Sequence, residues 1–335
     1  MNKSKLFLFL LFWVHFDQAI ALQSSQPQVN VYSFRKYKLI QPVIHAFEQE
    51  TGISVNLVNG KSQQLLSRLR TDGINSQADV LLTSDLIQLH DYKDLLRPLD
   101  EIGSWHIINP AFKDDDKRWV SVSMRTRAIF RRKASNTPLP QVYSDLNKPQ
   151  FKGKFCIRQW SHSYNLALAS ILYTSSYSGD YMWLEQANTL LAKRPVGGDR
   201  DQLRALALGQ CELAFANHYY WLMMHHSDNK RDKILAEQLE IHHIKMHSGK
   251  TPVSTTTAAI SRHAPNAKAA MQFVEFLLKP STQSMYAELL HEYPVLGSAQ
   301  YNRVPFHPAI EQIKQGLKQV KRAQAVIKSI SENHL

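Results

Sequence analysis

Two adjacent phenols, Tyr219 and Tyr220, are the side chains of this 335-residue chain best placed to do chemistry. They follow the apolar run C-E-L-A-F-A-N at 211–217, which has the length and composition of a short buried strand and stops at the turn former Asn217. Phenols at the C-terminal end of a strand face the crevice where open α/β sheets bind ligands. Each offers an oxygen that ionises near pH ~10 in water and much more readily beside a bound cation. Such donors suit a hard metal ion; otherwise the pair, with Trp221, forms an aromatic rim.

Histidine supplies the next candidates. His225-His226 and the set His242, His243 and His247 have donors for a borderline divalent ion. They sit on polar segments without the H-E-x-x-H spacing of a hydrolytic zinc site, so exposed histidines account for them equally well. No G-x-G-x-x-G or phosphate-binding loop closes a strand, and no G-x-S-x-G elbow or paired-carboxylate motif is present. A nucleotide cofactor and a hydrolase are therefore unsupported, and the chain is expected not to be an enzyme.

The elements that must position these residues follow from hydrophobic periodicity. Strands are expected over 29–33, 53–58 and 78–82, with amphipathic helices over 39–50 and 62–71 between them. Strand, helix, strand, helix, strand in about 55 residues is the pattern of a parallel α/β sheet. A helix over 85–96, a short strand over 119–123 and a lobe crossing at 128–130 follow, with Arg125 and Arg127 as hinge residues. Beyond the crossing come a strand at 154–158, helices at 167–173, 183–191 and 200–208, and then the strand leading to the tyrosines. The β-branched stretch 251–260 suits a return strand, and helices over 267–278 and 280–290 precede a basic terminal helix.

Composition agrees with an exported globular protein, with 44% hydrophobic and 20% charged residues. Lys3 and Lys5 precede an apolar run at 6–14, and Ala19-Ile20-Ala21 offers a cleavage site, so residues 1–21 are expected to be a signal peptide that is removed. Formal charge is +12, or about +11 once Lys3, Lys5 and Asp17 of the leader are set aside. The basic residues are scattered and match no nucleic-acid motif; those at 314–328 alternate with apolar residues as a solvated helix face does. Cys156 and Cys211 both fall in expected strands, and export permits their pairing as a disulfide in place of two reduced core thiols.

Several stretches, in order and spacing, carry a more specific signal. They are V-Y-S-F-R-K-Y at 31–37, T-G-I-S-V-N-L-V-N-G-K at 51–61, S-Q-A-D-V-L-L-T at 76–83 and F-K-G-K-F-C-I-R at 151–158. S-Y-N at 163–165, the G-G-D-R-D-Q-L-R segment that runs on to Asn217, H-A-P-N at 263–266 and E-Y-P-V at 292–295 complete the set. From Val29 to Leu296 the chain thereby resembles the periplasmic ferric-iron-binding proteins, solute-binding subunits of bacterial ABC iron importers. The resemblance implies an α/β, two-lobed periplasmic-binding-protein fold of class II type with crossing hinge strands. It places the first lobe at 29–126 and 252–296, the second at 127–251 and a C-terminal helical segment at 297–335.

It further implies that Fe³⁺ is held by Tyr37, Tyr164, Tyr219 and Tyr220, with a synergistic anion as an allowed co-ligand. Free or chelated ferric ion would be the cargo, an inner-membrane ABC permease the partner, and a periplasmic monomer the working form. Four phenolates on one ferric ion leave a formal excess of about one negative charge, which Arg35, Lys36 and Arg158 could offset from behind the ligands. Relatives often carry His where this chain has Lys36, and a protonated lysine cannot ligate. His218 and His162 adjoin ligands without being expected to join them, and 251–257 lacks the glycines common there. The alternative is the same fold binding an anion, polyamine or sugar phosphate through Arg35, Lys36 and Arg158.

Overall fold

The computed structural model describes residues 27–296 and 306–333, so the expected leader at 1–21 and residues 297–305 of the C-terminal segment lie outside the described residues. Strand β1 (Gln28–Ser33) buries Val29, Val31 and Tyr32. Helix α1 (Tyr37–Thr51) turns Leu39, Ile40, Val43, Ile44 and Phe47 inward, one face of a 3.6-residue period. It ends at Gly52, whose left-handed φ of 69° lets its N–H reach the Glu48 carbonyl at 2.9 Å, a closure that a Cβ would strain. Strand β2 (Ser54–Asn59) then pairs parallel to β1, helix α2 (Ser62–Asp72) buries Leu65, Leu66 and Leu69, and β3 (Val80–Thr83) pairs parallel on β1's other side. All four β3 residues are buried, as a strand covered on both faces requires.

The short β4 (Leu96–Arg97) precedes β5 (Val120–Arg132), which joins the two halves of the molecule. After it come β6 (Phe155–Cys156), β7 (Leu213–Asn217), β8 (Leu239–His242), β9 (Val253–Ser261) and β10 (Tyr293–Pro294). The sheet path is β2-β1-β3-β9-β5-β7-β6, with β10 and β8 also on β5 and β4 on β9. Up to Thr126, β5 is antiparallel to β9; from Arg127 it is antiparallel to β7, and from Ile129 to β8 as well. The short strand and separate crossing expected at 119–130 are thus one continuous strand of 13 residues, because partners on both sides keep its backbone extended.

Other expectations also shift. The strand expected at 154–158 is ladder-paired only at Phe155–Cys156. Leu86–Leu95 and Trp183–Leu190 are 3₁₀ rather than α-helical; the first opens on a box in which Asp85 accepts from the Ile87 N–H while Gln88 reaches back to the Asp85 N–H. The basic terminal helix is two helices, Gln312–Leu317 and Val320–Glu332. Ala323, Ile327 and Ile330 enter the core of the second half beside α3 (Ser163–Leu172), and Arg322 lies over the Tyr173 and Tyr181 rings at 4.1 and 4.9 Å. Cys156 and Cys211 form a disulfide with a Cα–Cα distance of 5.8 Å. No helix among the described residues is long and apolar enough to cross a membrane.

Candidate functional site

β7 ends at Asn217, and the helix His218–His225 begins at the next residue. This junction puts Tyr219 and Tyr220 in the helix's first turn, with ring centroids 4.3 Å apart and side chains 7 and 9% exposed. Across from them, His162 caps α3 by accepting the Tyr164 N–H on Nδ1 at 3.2 Å, which sets Tyr164 at the helix start and buries it. The three phenols share a cleft of about 130 Å³ that opens to solvent. Arg35, Lys36, Asp85, Arg125 and Arg158 line the same cleft and supply its charge.

Two buried carboxylates hold most of those cations. Glu292 takes Arg35 at 2.6 Å and 3.2 Å, accepts from Ser123 and Thr256, and lies 3.9 Å from Arg125. Burial alone would raise its pKa, but the Arg35 and Arg125 charges and the bonds from Arg35 and Ser123 hold it down at about 2. Asp199 is the counterpart in the second half. It pairs with Arg127 at 3.2 Å and with Arg158, and accepts the Asn217 N–H at 3.0 Å, fixing the strand end that launches the tyrosines. Arg127 also donates to Asn165 at 3.1 Å and lies 4.7 Å from the Tyr164 ring centroid.

Two of the cleft phenols, Tyr219 and Tyr164, are held in the protonated form by this environment. Burial, reinforced by Tyr220, pushes the Tyr219 phenol well above its ordinary range. Burial also raises Tyr164, against the pull of Arg127 and Arg125. Asp85 is raised to about 6, again chiefly by burial, with Arg125 opposing. The site therefore stores protonated oxygen donors that a cation would ionise, releasing protons as it binds.

Of the residues singled out from sequence, Tyr164, Tyr219, Tyr220, Arg35, Lys36 and Arg158 meet at the cleft. Tyr37 does not line it. Rather than sitting in the loop after β1 it is the first residue of α1, where it is 50% exposed. Lys36 is exposed at the N-cap with its ammonium 5.6 Å from the Tyr220 ring centroid. His218 lies against Tyr293, rings 4.5 Å apart, and takes the Thr126 N–H at 3.3 Å; burial, with His243 beside it, lowers its pKa to about 3. His242 meets the Pro140 carbonyl at 2.9 Å, and His243 packs on Phe306. Sequence reasoning missed Asp85, Asp199 and Glu292. The last two stand inside the G-G-D-R and E-Y-P-V stretches; for Glu292 an acid before an uncharged Y-P-V was the available signal, whereas Asp199 is masked by Arg200 and Asp201 beside it.

Residues 43–312 match the model of a bacterial extracellular solute-binding protein family. The chain is 31% identical over 282 residues to iron uptake protein A1 of Synechocystis sp., covering 83% of this chain and 78% of that one. Its structure resembles a ferric binding protein from Campylobacter jejuni with a TM-score of 0.84 and 29% identity, over 90% of this chain and 99% of that one. A Trichodesmium protein in complex with iron and citrate superimposes with a TM-score of 0.80 and 28% identity, over 90% and 99% of the two chains.

Proposed function

This chain belongs to the bacterial extracellular solute-binding protein family, and on that premise we propose that it captures ferric iron and delivers it to an ABC permease of the inner membrane. The observation that carries the reading is the convergence of Tyr164, Tyr219 and Tyr220 on one cation-rimmed cleft. Ferric iron is a hard Lewis acid that favours anionic oxygen, and three phenolates balance its charge. Tyr37, which opens α1 outside the cleft lining, is the fourth ligand and joins when the lobes close. The relatives named for iron uptake and ferric binding support the same cargo.

Lobe closure is a hinge motion about the residues where β5 changes partner, Thr126 and Arg127, and the facing start of β9 at Val253. Iron shifts the population toward the closed form by binding it more tightly. The lobes already touch beside the site, where Gln88 lies 3.5 Å from Ser163. Residues 29–126 and 252–296 make one lobe and 127–251 the other. The protein works as a periplasmic monomer with residues 1–21 removed and performs no covalent chemistry. For an anion-binding role, two of the three cations would have to be shared, because Arg35 is already paired with Glu292 and Arg158 with Asp199.

Titration of the purified protein with ferric citrate tests the reading. A visible phenolate-to-iron charge-transfer band should saturate near one equivalent and vanish in Tyr219→Phe/Tyr220→Phe. Affinity should rise with pH, since every phenol ionised on binding gives up a proton. A folded protein with no band sinks the assignment.

A further inference from the structure

We propose that the second half of the molecule carries a further site, for a small organic carboxylate with a flat apolar body. A pocket of about 320 Å³ lies between the turn 159–161, the segment 194–197 and Ser331 on the helix Val320–Glu332. It shares no lining residue with the cleft and exceeds the cleft's 130 Å³. Its volume falls in the range of about 300–1,000 Å³ in which proteins hold small ligands.

Both sides of this pocket are fixed by hydrogen bonds. Asn165 Nδ2 donates to the Gln159 and Trp160 carbonyls at 3.0 and 3.2 Å. On the other side the Ala192 N–H reaches the Phe155 carbonyl at 2.9 Å, Pro195 is buried, and Gln202 donates to the Val196 carbonyl at 2.6 Å. Trp160, in the wall, is 3% exposed, and its indole N–H is buried without an acceptor among the described residues. A buried donor left unpaired is costly, so this wall is short of one acceptor. Arg194 is exposed and makes no hydrogen bond or ion pair among the described residues.

No acid lines the pocket, and the acids near it in sequence are committed elsewhere. Asp199 is held by Arg127 and Arg158, Asp201 takes the Gly198 N–H at 2.8 Å and Arg204 at 3.1 Å, and Glu332 faces Lys328. Arg194 thus offers a planar fork of donors that matches a carboxylate. Trp160, Pro195 and the half-exposed Val196 suit the apolar body attached to it. Bare phosphate would leave those faces unused.

Benzoate titrated into nitrogen-15-labelled protein tests the proposal, read on the indole N–H resonance that Trp160→Phe removes. That resonance should shift saturably, with a Kd at or below about 1 mM. Acetate and inorganic phosphate, which lack the ring, and benzamide, which lacks the charge, should each bind at least about tenfold more weakly. Arg194→Gln, at an exposed position, should melt as wild type does and lose at least about tenfold in benzoate affinity. No saturable shift below about 10 mM benzoate overturns the proposal, as does unchanged binding by Arg194→Gln. Phosphate that binds as tightly as benzoate overturns the carboxylate assignment. The shift should persist in Tyr219→Phe/Tyr220→Phe; its loss there would put benzoate in the ferric cleft and overturn a separate site.

Discussion

The two walls of the cleft are built on different plans. The second-lobe wall carries three buried phenols on the first turns of two helices, with Asp199 bonded to the strand end beneath Tyr219 and a disulfide from β6 to Cys211, which lies just before β7 and not in the strand expected there. The first-lobe wall carries cations on the loop after β1 and on β5; Lys36 at its edge is exposed, as is Tyr37 just outside the lining. A preorganised donor set lowers the ordering cost of binding, whereas a wall with exposed side chains keeps freedom to move. The contrast suggests that the second lobe holds the ion first and the first lobe completes the site on closure.

The sharpest way to break that contrast is to dismantle the stiffer wall. Asp199→Asn keeps the shape of the side chain but strips the formal counter-charge from Arg127, which is 1% exposed, and from Arg158. Removing one partner of a buried ion pair costs about 3–5 kcal/mol. Urea unfolding should therefore shift strongly, and the iron band should weaken as the Asn217 anchor loosens. Unchanged stability would mean that the phenols are held by packing alone.

Glu292 gives the matching test of the first-lobe wall, through acid. Its folded pKa of about 2 lies below the ordinary 4.5, so its stabilisation is fully present above pH ~4.5 and fades as pH falls toward ~2. The difference corresponds to about 3 kcal/mol. Glu292→Gln should lower neutral-pH stability and flatten the acid limb of the melting curve between those values. If the acid limb stays as steep as in wild type, other carboxylates carry it.

How far sequence could lead differs between the walls in the same way. β1, β2, β3 and β9 and the helices between them are legible because apolar spacing is a local property. β5 is obscured because R-T-R at 125–127 looks like a polar turn. Those arginines are buried, and what allows it is carboxylates distant in sequence: Asp199 lies 72 residues from Arg127, and Glu292, 3.9 Å from Arg125, also pairs with Arg35, 257 residues away. Pairing at such range leaves no periodic trace. The phenols at 164, 219 and 220 are legible through the motifs around them, whereas Asp85 is hidden by its ordinary role as a helix cap.

Tyr37→Phe should have the smallest effect and sharpens the comparison most finely. The side chain is half exposed, so stability without iron should stay within about 0.5 kcal/mol of wild type. If Tyr37 joins only on closure, its loss removes one late contact and leaves the second-lobe phenols to hold the ion. Affinity should then fall roughly fivefold, about 1 kcal/mol, with the charge-transfer band weakened but present. Tyr164→Phe, taken from the buried wall, should lose more in the same titration. Equal losses would mean that both walls hold the ion from the outset, and the order of capture inferred from their burial would fail.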